Sequence, residues 1–279
     1  MEFLSALTGS FSHPAAGNPT VAMVEAAYRH HGLDFRYINC DVAEDALRDA
    51  VRGARAMGWR GFNLSIPHKV TVIDHIDGLA ESATIIGAVN CVRHDQGRLI
   101  GENTDGKGFV QSLDATVRIP GKRAVILGAG GAARAIAVEL ARAGADRITL
   151  INRTAAKAET IATLVSERTA ANGMVQTWNE PLEIPDGADV LVNATSIGLY
   201  PEGGMPPVEF ASLNPRTLVA DVIVNPRDTP FLAMSKARGC KTIDGHGMLV
   251  NQAIIGVAHW TGLQVDGAVM KSTLESIFG

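Results

Sequence analysis

The stretch Lys122–Lys157, KRAVILGAGGAARAIAVELARAGADRITLINRTAAK, decides the fold. Ala124–Leu127 is a short apolar run with no polar alternation, the pattern of a parallel strand covered on both faces. Gly128-Ala129-Gly130-Gly131-Ala132-Ala133 follows at once. A helical pattern then carries Ala135, Ile136, Val138, Glu139 and Leu140 to a stop at Gly144, and Ile148–Ile151 is a second apolar strand. Strand, glycine turn, helix, strand is the mononucleotide half of a Rossmann fold. Gly128 permits the tight turn, Gly130 lets the backbone approach a pyrophosphate, and Ala133 takes the small-residue place where helix and strand pack closely. Gly131 and Ala132 open the helix, whose free N–H groups and positive dipole end suit phosphate.

The end of the second strand sharpens this. A site for NAD usually has Asp or Glu there, accepting hydrogen bonds from the ribose hydroxyls. This chain has Asn152-Arg153-Thr154, with Lys157 one turn on. No carboxylate is present to repel a 2′-phosphate, and two cations and a hydroxyl are available to hold it. NADP(H) is expected in preference to NAD(H); the alternative is a basic helical turn facing solvent.

With 279 residues the chain is long enough for about two domains, and 46% apolar against 19% charged residues reads as globular. A net charge of −4 gives no electrostatic footprint for nucleic acid. The longest apolar runs are broken by Arg, Glu or Asp, so no membrane span is expected, and Met1-Glu2-Phe3 lacks the basic start of a secretory signal. Cys40, Cys91 and Cys240 are odd in number and widely spaced, and the eight histidines form no zinc pattern. Buried thiols in a reducing cytoplasm, with no metal, are the expectation.

Strands and helices alternate before the glycine turn. Phe3–Gly9 and Phe35–Ile38 are strand candidates, separated by the polar loop Ser10–Pro19 and a helix that Thr20 can cap. Ala43–Met57 reads as a helix, Ile76–Ala83 as another, and Gly87–Val92 as a strand paired with Arg98–Gly101 across Asp95-Gln96-Gly97. A helix begins near Lys107. Later strands are Asp189–Ala194 and Leu218–Ile223, each followed by a polar loop of the kind that borders ligands at the carboxyl ends of a parallel sheet. Gly245-His246-Gly247-Met248 breaks the pattern before two final helices, Leu249–Thr261 and Gly267–Phe278.

In order, the chain carries Asn63-Leu64-Ser65-Ile66-Pro67-His68-Lys69, Ala88-Val89-Asn90, Asn103-Thr104-Asp105-Gly106, the glycine turn and Asn152-Arg153-Thr154. Asn193-Ala194-Thr195-Ser196-Ile197-Gly198 and Asp244-Gly245-His246-Gly247-Met248-Leu249, ending in Gln252, follow. Together these motifs resemble the shikimate dehydrogenase family over nearly the whole chain. The resemblance implies a two-domain α/β fold with the active site in the cleft. Residues 1–105, completed by 245–279, would form an N-terminal α/β substrate-binding and catalytic domain. Residues 106–244 would form a Rossmann-type NADP-binding domain with a parallel sheet. The implied partner is one small molecule, a cyclic polyhydroxy acid; the oligomeric state stays open, a homodimer included.

Interconverting a ring alcohol and a ketone with NADP(H) needs a group that exchanges the hydroxyl proton as hydride moves. Lys69 can do this if a partly desolvated cleft and a nearby carboxylate hold it between charge states, and Asp105 is the natural partner. The resemblance assigns this pair to catalysis. Alone, Lys69 reads as a solvated lysine after a turn and Asp105 as a helix cap. The resemblance further implies that Ser65, Asn90 and Gln252 face the substrate. It implies that Thr195, Val222, Gly245 and Met248 approach the cofactor with Asn193 and Ser196 beside it, although Met248 serves equally well in a core.

The family holds its substrate carboxylate with a Ser-x-Ser-Pro segment. Aligned on Pro19, this chain reads Ala16-Gly17-Asn18-Pro19, leaving only the Asn18 amide to bind there. A family tyrosine is replaced by Val224. The reacting end of the pocket is kept and the carboxylate end rebuilt. Shikimate, quinate or a related cyclic hydroxy acid is the expected substrate class. A cofactor-binding sensor without catalysis and a methylenetetrahydrofolate dehydrogenase are the competing readings.

Overall fold

The structure, a computed structural model, describes residues 3–278; Met1 and Glu2, read above for a signal segment, lie outside the described residues. The chain divides into two compact units. One is built from residues up to Thr104 together with Val250–Ile277, the other from Asp105–Leu249 with Phe278.

The first unit contains β1 (Ala6–Ser12), α1 (Thr20–His30), β2 (Phe35–Asp41), α2 (Leu47–Ala56), β3 (Gly61–Leu64), β4 (Gly78–Leu79) and α3 (Glu81–Ile86), then β5 (Cys91–Asp95) and β6 (Arg98–Glu102). They form a mixed sheet in the order β2-β1-β3-β5-β6-β4. β1 runs parallel to β2 and β3, while β5 is antiparallel to both β3 and β6. The β5–β6 hairpin falls where the sequence predicts it. Asp95 pairs with Arg98, and Gln96 and Gly97 both have positive φ (48° and 84°), as a two-residue turn matched to strand twist requires. Phe11, Trp59, Phe62, Leu47, Val51, Val72, Val92 and Leu99 form the core, with the Phe11 and Phe62 rings stacked at 4.7 Å.

Several local expectations shift. The first strand is Ala6–Ser12, because pairing with β2 continues from Ala6↔Phe35 to Ser12↔Asp41. Ser10 and Ser12, read as loop, are buried strand residues, and Ser10 Oγ donates to Asn39 Oδ1 at 2.8 Å. Thr20 does not cap α1; the Asn18 side chain accepts from the Thr20 N–H at 3.1 Å. Residues 76–83 are not one helix. Asp77 and Ala80 donate their N–H groups to Leu99 and Gly101 of β6, and the Asp77 carboxylate accepts from the Leu99 N–H at 2.6 Å, so the segment becomes a short edge strand.

The second unit contains α4 (Asp105–Leu113), β7 (Arg123–Leu127), α5 (Gly131–Arg142), β8 (Arg147–Asn152), α6 (Ala155–Arg168) and β9 (Asn172–Thr177). β10 (Val190–Asn193), β11 (Leu218–Asp221), α7 (Pro230–Ala237) and β12 (Thr242–Ile243) follow, and α8 (Gly245–Thr261) and α9 (Gly267–Phe278) end the chain. The division between units falls inside α8, between Leu249 and Val250. The sheet is parallel throughout, in the order β12-β11-β10-β7-β8-β9. The chain reverses direction across the sheet between β7 and β10, the place where such folds open a ligand crevice. Ala124, Ile126, Ile136, Leu140, Ile148, Leu150 and Val192 fill the space under α5 and α6.

Gly245–Met248 is not a break but the first turn of α8. Asp244 Oδ1 caps it by accepting from the His246 N–H at 3.1 Å. Glycine is required at position 245, because a Cβ there would lie 2.3 Å from the Ile223 carbonyl oxygen. β9, β12 and α7 have no counterpart in the sequence reading. β9 is an edge strand whose Met174 and Val175 face solvent, so it lacks a hydrophobic signature. For α7 the signal was there: Thr229 caps the helix by accepting from the Leu232 N–H, and Pro230 takes its first turn.

Candidate active site

The candidate cofactor residues belong to the second unit, at the carboxyl edge of its sheet. Gly128 follows β7 with φ 105°, and a Cβ there would meet the Ala194 carbonyl oxygen at 2.8 Å. Gly130 and Gly131 have open space within 4 Å of where a Cβ would stand, and Ala133 is fully buried. Ala129 packs on the core beneath and Ala132 is half-buried in the first turn of α5. A cradle of bare backbone at the start of a twelve-residue helix fits a dinucleotide pyrophosphate. At the next strand end the Asn152 amide donates to the Thr154 carbonyl at 2.9 Å, closing the turn. Arg153, Thr154 and Lys157 are exposed, and the Arg153 guanidinium lies over the Trp178 ring, 5.7 Å from its centroid.

The loops after β10 and β11 are tied together by a buried network. Asn193, fully buried, donates its amide to Asp221 Oδ1 at 3.0 Å and to the Ile197 carbonyl. Its Oδ1 accepts from the Thr195 hydroxyl at 2.7 Å, and the Val222 N–H donates to the Asn193 carbonyl. Asp221 also accepts from the Thr229 hydroxyl at 2.7 Å and from the Ile223 N–H. Burial pushes the Asp221 carboxyl up to about 6, against the opposing pull of these hydrogen bonds. His246 Nε2 donates to the Val224 carbonyl at 3.0 Å, and Arg227 pairs with Asp244 at 2.7 Å, fixing the loop that carries Val222 against the start of α8. Met248 packs against the core of this unit.

Ser65, Lys69 and Asn90 lie at one edge of the sheet of the first unit. Ser65 follows β3, and its N–H donates to the Phe11 carbonyl at 3.1 Å. His68, fully buried, donates from Nε2 to the Val42 carbonyl at 2.7 Å. Lys69 is half-buried, and its carbonyl accepts from the Val89 N–H at 2.7 Å. Asn90 precedes β5, whose antiparallel course returns its start to the end of β3, and the Leu64 N–H donates to its carbonyl. β6 ends at the same edge, since Glu102 pairs with Cys91, and the chain continues through Asn103 and Thr104 to Asp105. Asp105 is half-buried at the first position of α4, where the second unit begins. Gln252 is buried on α8.

Asn18 belongs to this edge too, and its amide is partly engaged within the protein. Nδ2 donates to Ser10 Oγ at 3.2 Å, Oδ1 accepts from the Thr20 N–H, and its carbonyl accepts from Asn39 Nδ2 at 3.0 Å. Ser10, Asn39, Asp221, His246 and Trp178 went unread in the sequence as site supports. Their roles come from strand register and long-range hydrogen bonds that no local motif encodes. Among the described residues no group of three or more His, Cys, Asp or Glu is placed to hold a metal ion, and no helix is long and apolar enough to cross a membrane.

Family models match three segments. Residues 11–92 match the shikimate dehydrogenase substrate binding domain, 112–229 shikimate/quinate 5-dehydrogenase, and 245–275 the shikimate 5′-dehydrogenase C-terminal domain. Shikimate dehydrogenase (NADP⁺) of Shouchella clausii is 40% identical over 270 residues, covering 96% of this chain and 97% of the relative. Among solved structures, ligand-free 5-ketofructose reductase of Gluconobacter sp. strain CHM43 is 62% identical, covering 99% of this chain and 100% of that one, with a TM-score of 0.97. Shikimate 5-dehydrogenase of Thermus thermophilus, in complex with NADP(H) and shikimate, is 33% identical, covering 97% and 99%, with a TM-score of 0.85. Matched over these three segments and at such identities, the chain belongs to the shikimate dehydrogenase family of oxidoreductases.

Proposed function

We propose that this protein uses NADPH to reduce a neutral polyhydroxy ketone of the 5-ketofructose type, with Lys69 and Asp105 as its acid–base pair. The chain is an NADP-dependent oxidoreductase of its family, as its curated relatives are, and the open glycine cradle with Arg153 and Lys157 at the next strand end fits that cofactor. The observation that carries the choice of substrate is the loss of hydroxyl donors at the carboxylate end, where Asn18 gives one amide N–H to Ser10 and its Oδ1 to the Thr20 N–H. A carboxylate entering a site must recover the hydrogen bonds it leaves in water, at about 1–3 kcal/mol per lost partner. Here both serine hydroxyls and the tyrosine are replaced, by Ala16, Asn18 and Val224, and Asn18 already serves Ser10 and Thr20. A substrate without a carboxylate has no such requirement, and the relative at 62% identity is named for one.

The reaction adds hydride and a proton to a carbonyl, giving an alcohol and NADP⁺. When bound, the nicotinamide supplies the hydride. In this reading the Lys69 ammonium delivers the proton to the oxygen as it gains charge, while Asp105 accepts a hydrogen bond from a substrate hydroxyl and keeps the lysine protonated. Ser65, Asn90 and Gln252 would orient the remaining hydroxyls. Residues 1–105 with 245–279 would serve the substrate and 106–244 the cofactor, in a cytoplasmic protein that binds no nucleic acid and that could pair as a homodimer.

Interconversion of 3-dehydroshikimate and shikimate is the second reading. Relatives at 35–40% identity are named for shikimate, and the reacting end keeps Lys69, Asn90 and Asp105, with the Ser65 hydroxyl where the family usually has threonine. Initial rates for 5-ketofructose, 3-dehydroshikimate, shikimate and quinate, each with both nicotinamide cofactors, decide between them. The proposal expects 5-ketofructose with NADPH to have the highest kcat/KM, by roughly tenfold or more. A higher value for 3-dehydroshikimate would establish the second reading instead.

A further inference from the structure

We propose that Trp178 is a positioning residue for cofactor choice: its indole face is the shelf that holds the Arg153 guanidinium where a 2′-phosphate is read. The inference rests on the NADP(H) reading and adds to it a residue outside every motif that the sequence offers.

Strand register brings the two residues together. β8 and β9 are parallel neighbours, and their last paired residues are Asn152 and Thr177. Arg153 and Trp178 are the next residue on each strand, so they leave the carboxyl edge side by side. The guanidinium lies 5.7 Å from the ring centroid, within cation–π range. Among the described residues Arg153 makes no ion pair with a carboxylate, so its charge is uncommitted and its fixed contact is the indole.

The shelf is itself held. Trp178 packs against the buried cluster of Val125, Leu127, Ile151 and Leu182, and its Nε1 donates to Glu180 Oε1 at 2.9 Å. An exposed arginine otherwise samples many rotamers, which a ligand must freeze. Contact with the ring face narrows that freedom in advance, while the guanidinium N–H groups remain available to a phosphate. The effect depends on an aromatic face, which an aliphatic side chain of similar bulk cannot supply.

The test uses the whole chain and two fragments that differ only in the 2′-phosphate, 2′,5′-ADP and 5′-AMP, titrated calorimetrically against wild type, Trp178→Phe and Trp178→Leu. The Leu variant is expected to weaken 2′,5′-ADP by about three- to tenfold and leave 5′-AMP nearly unchanged, while the Phe variant stays within about twofold of wild type. Independently of whether the Leu variant folds, 2′,5′-ADP should change a component of tryptophan emission that 5′-AMP leaves alone and that the Phe variant lacks. A wild type that binds both fragments equally would overturn the NADP(H) reading and the shelf with it. If wild type favours 2′,5′-ADP, equal selectivity in all three proteins overturns the shelf alone. So does a Leu variant that loses both fragments equally, or a Phe variant as weak as Leu.

Discussion

Asn90 Oδ1 accepts a hydrogen bond from the Thr104 N–H at 2.6 Å, while Asn90 Nδ2 lies 3.0 Å from the Thr104 hydroxyl oxygen. Both residues are buried, and Thr104 is the residue before Asp105. The Asn90 carbonyl meanwhile accepts from the Leu64 N–H and the Asn63 side chain, so one asparagine joins the end of β3 to the entry of the segment carrying the candidate catalytic aspartate. Asn90→Ala leaves a buried Thr104 N–H unpaired and should cost about 1–3 kcal/mol in urea unfolding. Turnover should fall at the same time, because the chain leading to Asp105 is no longer held. Unchanged stability and turnover would show that the pair carries no weight.

Lys69→Ala should lower kcat by roughly a hundredfold or more, with NADPH affinity barely moved. Asp105→Asn should fall steeply as well, and the double variant should be little worse than either single change, as expected of groups that act as a unit. Near-normal turnover in Lys69→Ala with the best substrate sinks the acid–base assignment.

Arg153→Ala removes a charge-assisted contact to the 2′-phosphate worth about 1.5–3 kcal/mol, a ten- to hundredfold weaker Kd for NADP⁺. NAD⁺ binding should change little. Equal losses for both would mean that Arg153 supports the fold rather than reading the phosphate.

The rebuilt end of the substrate site can be partly reversed. Ala16→Ser together with Asn18→Ser restores two hydroxyls and should lower the KM for shikimate with little change in kcat, since the contact is remote from the hydride. The same double variant should not improve the KM for 5-ketofructose, which carries no carboxylate. A gain for the neutral ketone and none for shikimate would contradict the reading of this segment.

Asp221 makes stability depend on pH in an unusual direction. Its carboxyl is raised from 3.8 to about 6, chiefly by burial, so the folded chain binds this proton more tightly than the unfolded chain does. The stabilisation is complete below the unfolded value and is lost as pH rises through 6, a change of about 3 kcal/mol. Urea unfolding of wild type and Asp221→Asn at pH 4.5 and 7.5 should show wild type gaining on the variant at the lower pH. Parallel pH dependences would place the titration elsewhere.

The sequence by itself determined the parallel second sheet and the candidate cofactor loop. A buried parallel strand, a glycine turn and a helix face are local patterns, and Gly128 shows why: its φ of 105° and its approach to Ala194 admit no side chain. The Gln96-Gly97 hairpin was legible for the same reason, since its turn needs two positive φ angles. The family motifs named Lys69, Asn90 and Asp105 because their spacing survives in the chain order. What only the tertiary structure decided lies between segments far apart in sequence. Asp77 joined β6 through Leu99 instead of forming a helix, because the hydrogen-bond partner that decides its conformation is 22 residues away. Asn18 reads in the sequence as a substrate amide, and the structure engages one of its N–H groups with Ser10 and its Oδ1 with Thr20. Trp178 met Arg153 only through the register of β8 and β9, and β9 carries no hydrophobic alternation that would announce it. Local pattern proposes an element; which element forms at an ambiguous segment, and what buries, caps and aims its side chains, is decided by contacts that a linear pattern does not contain.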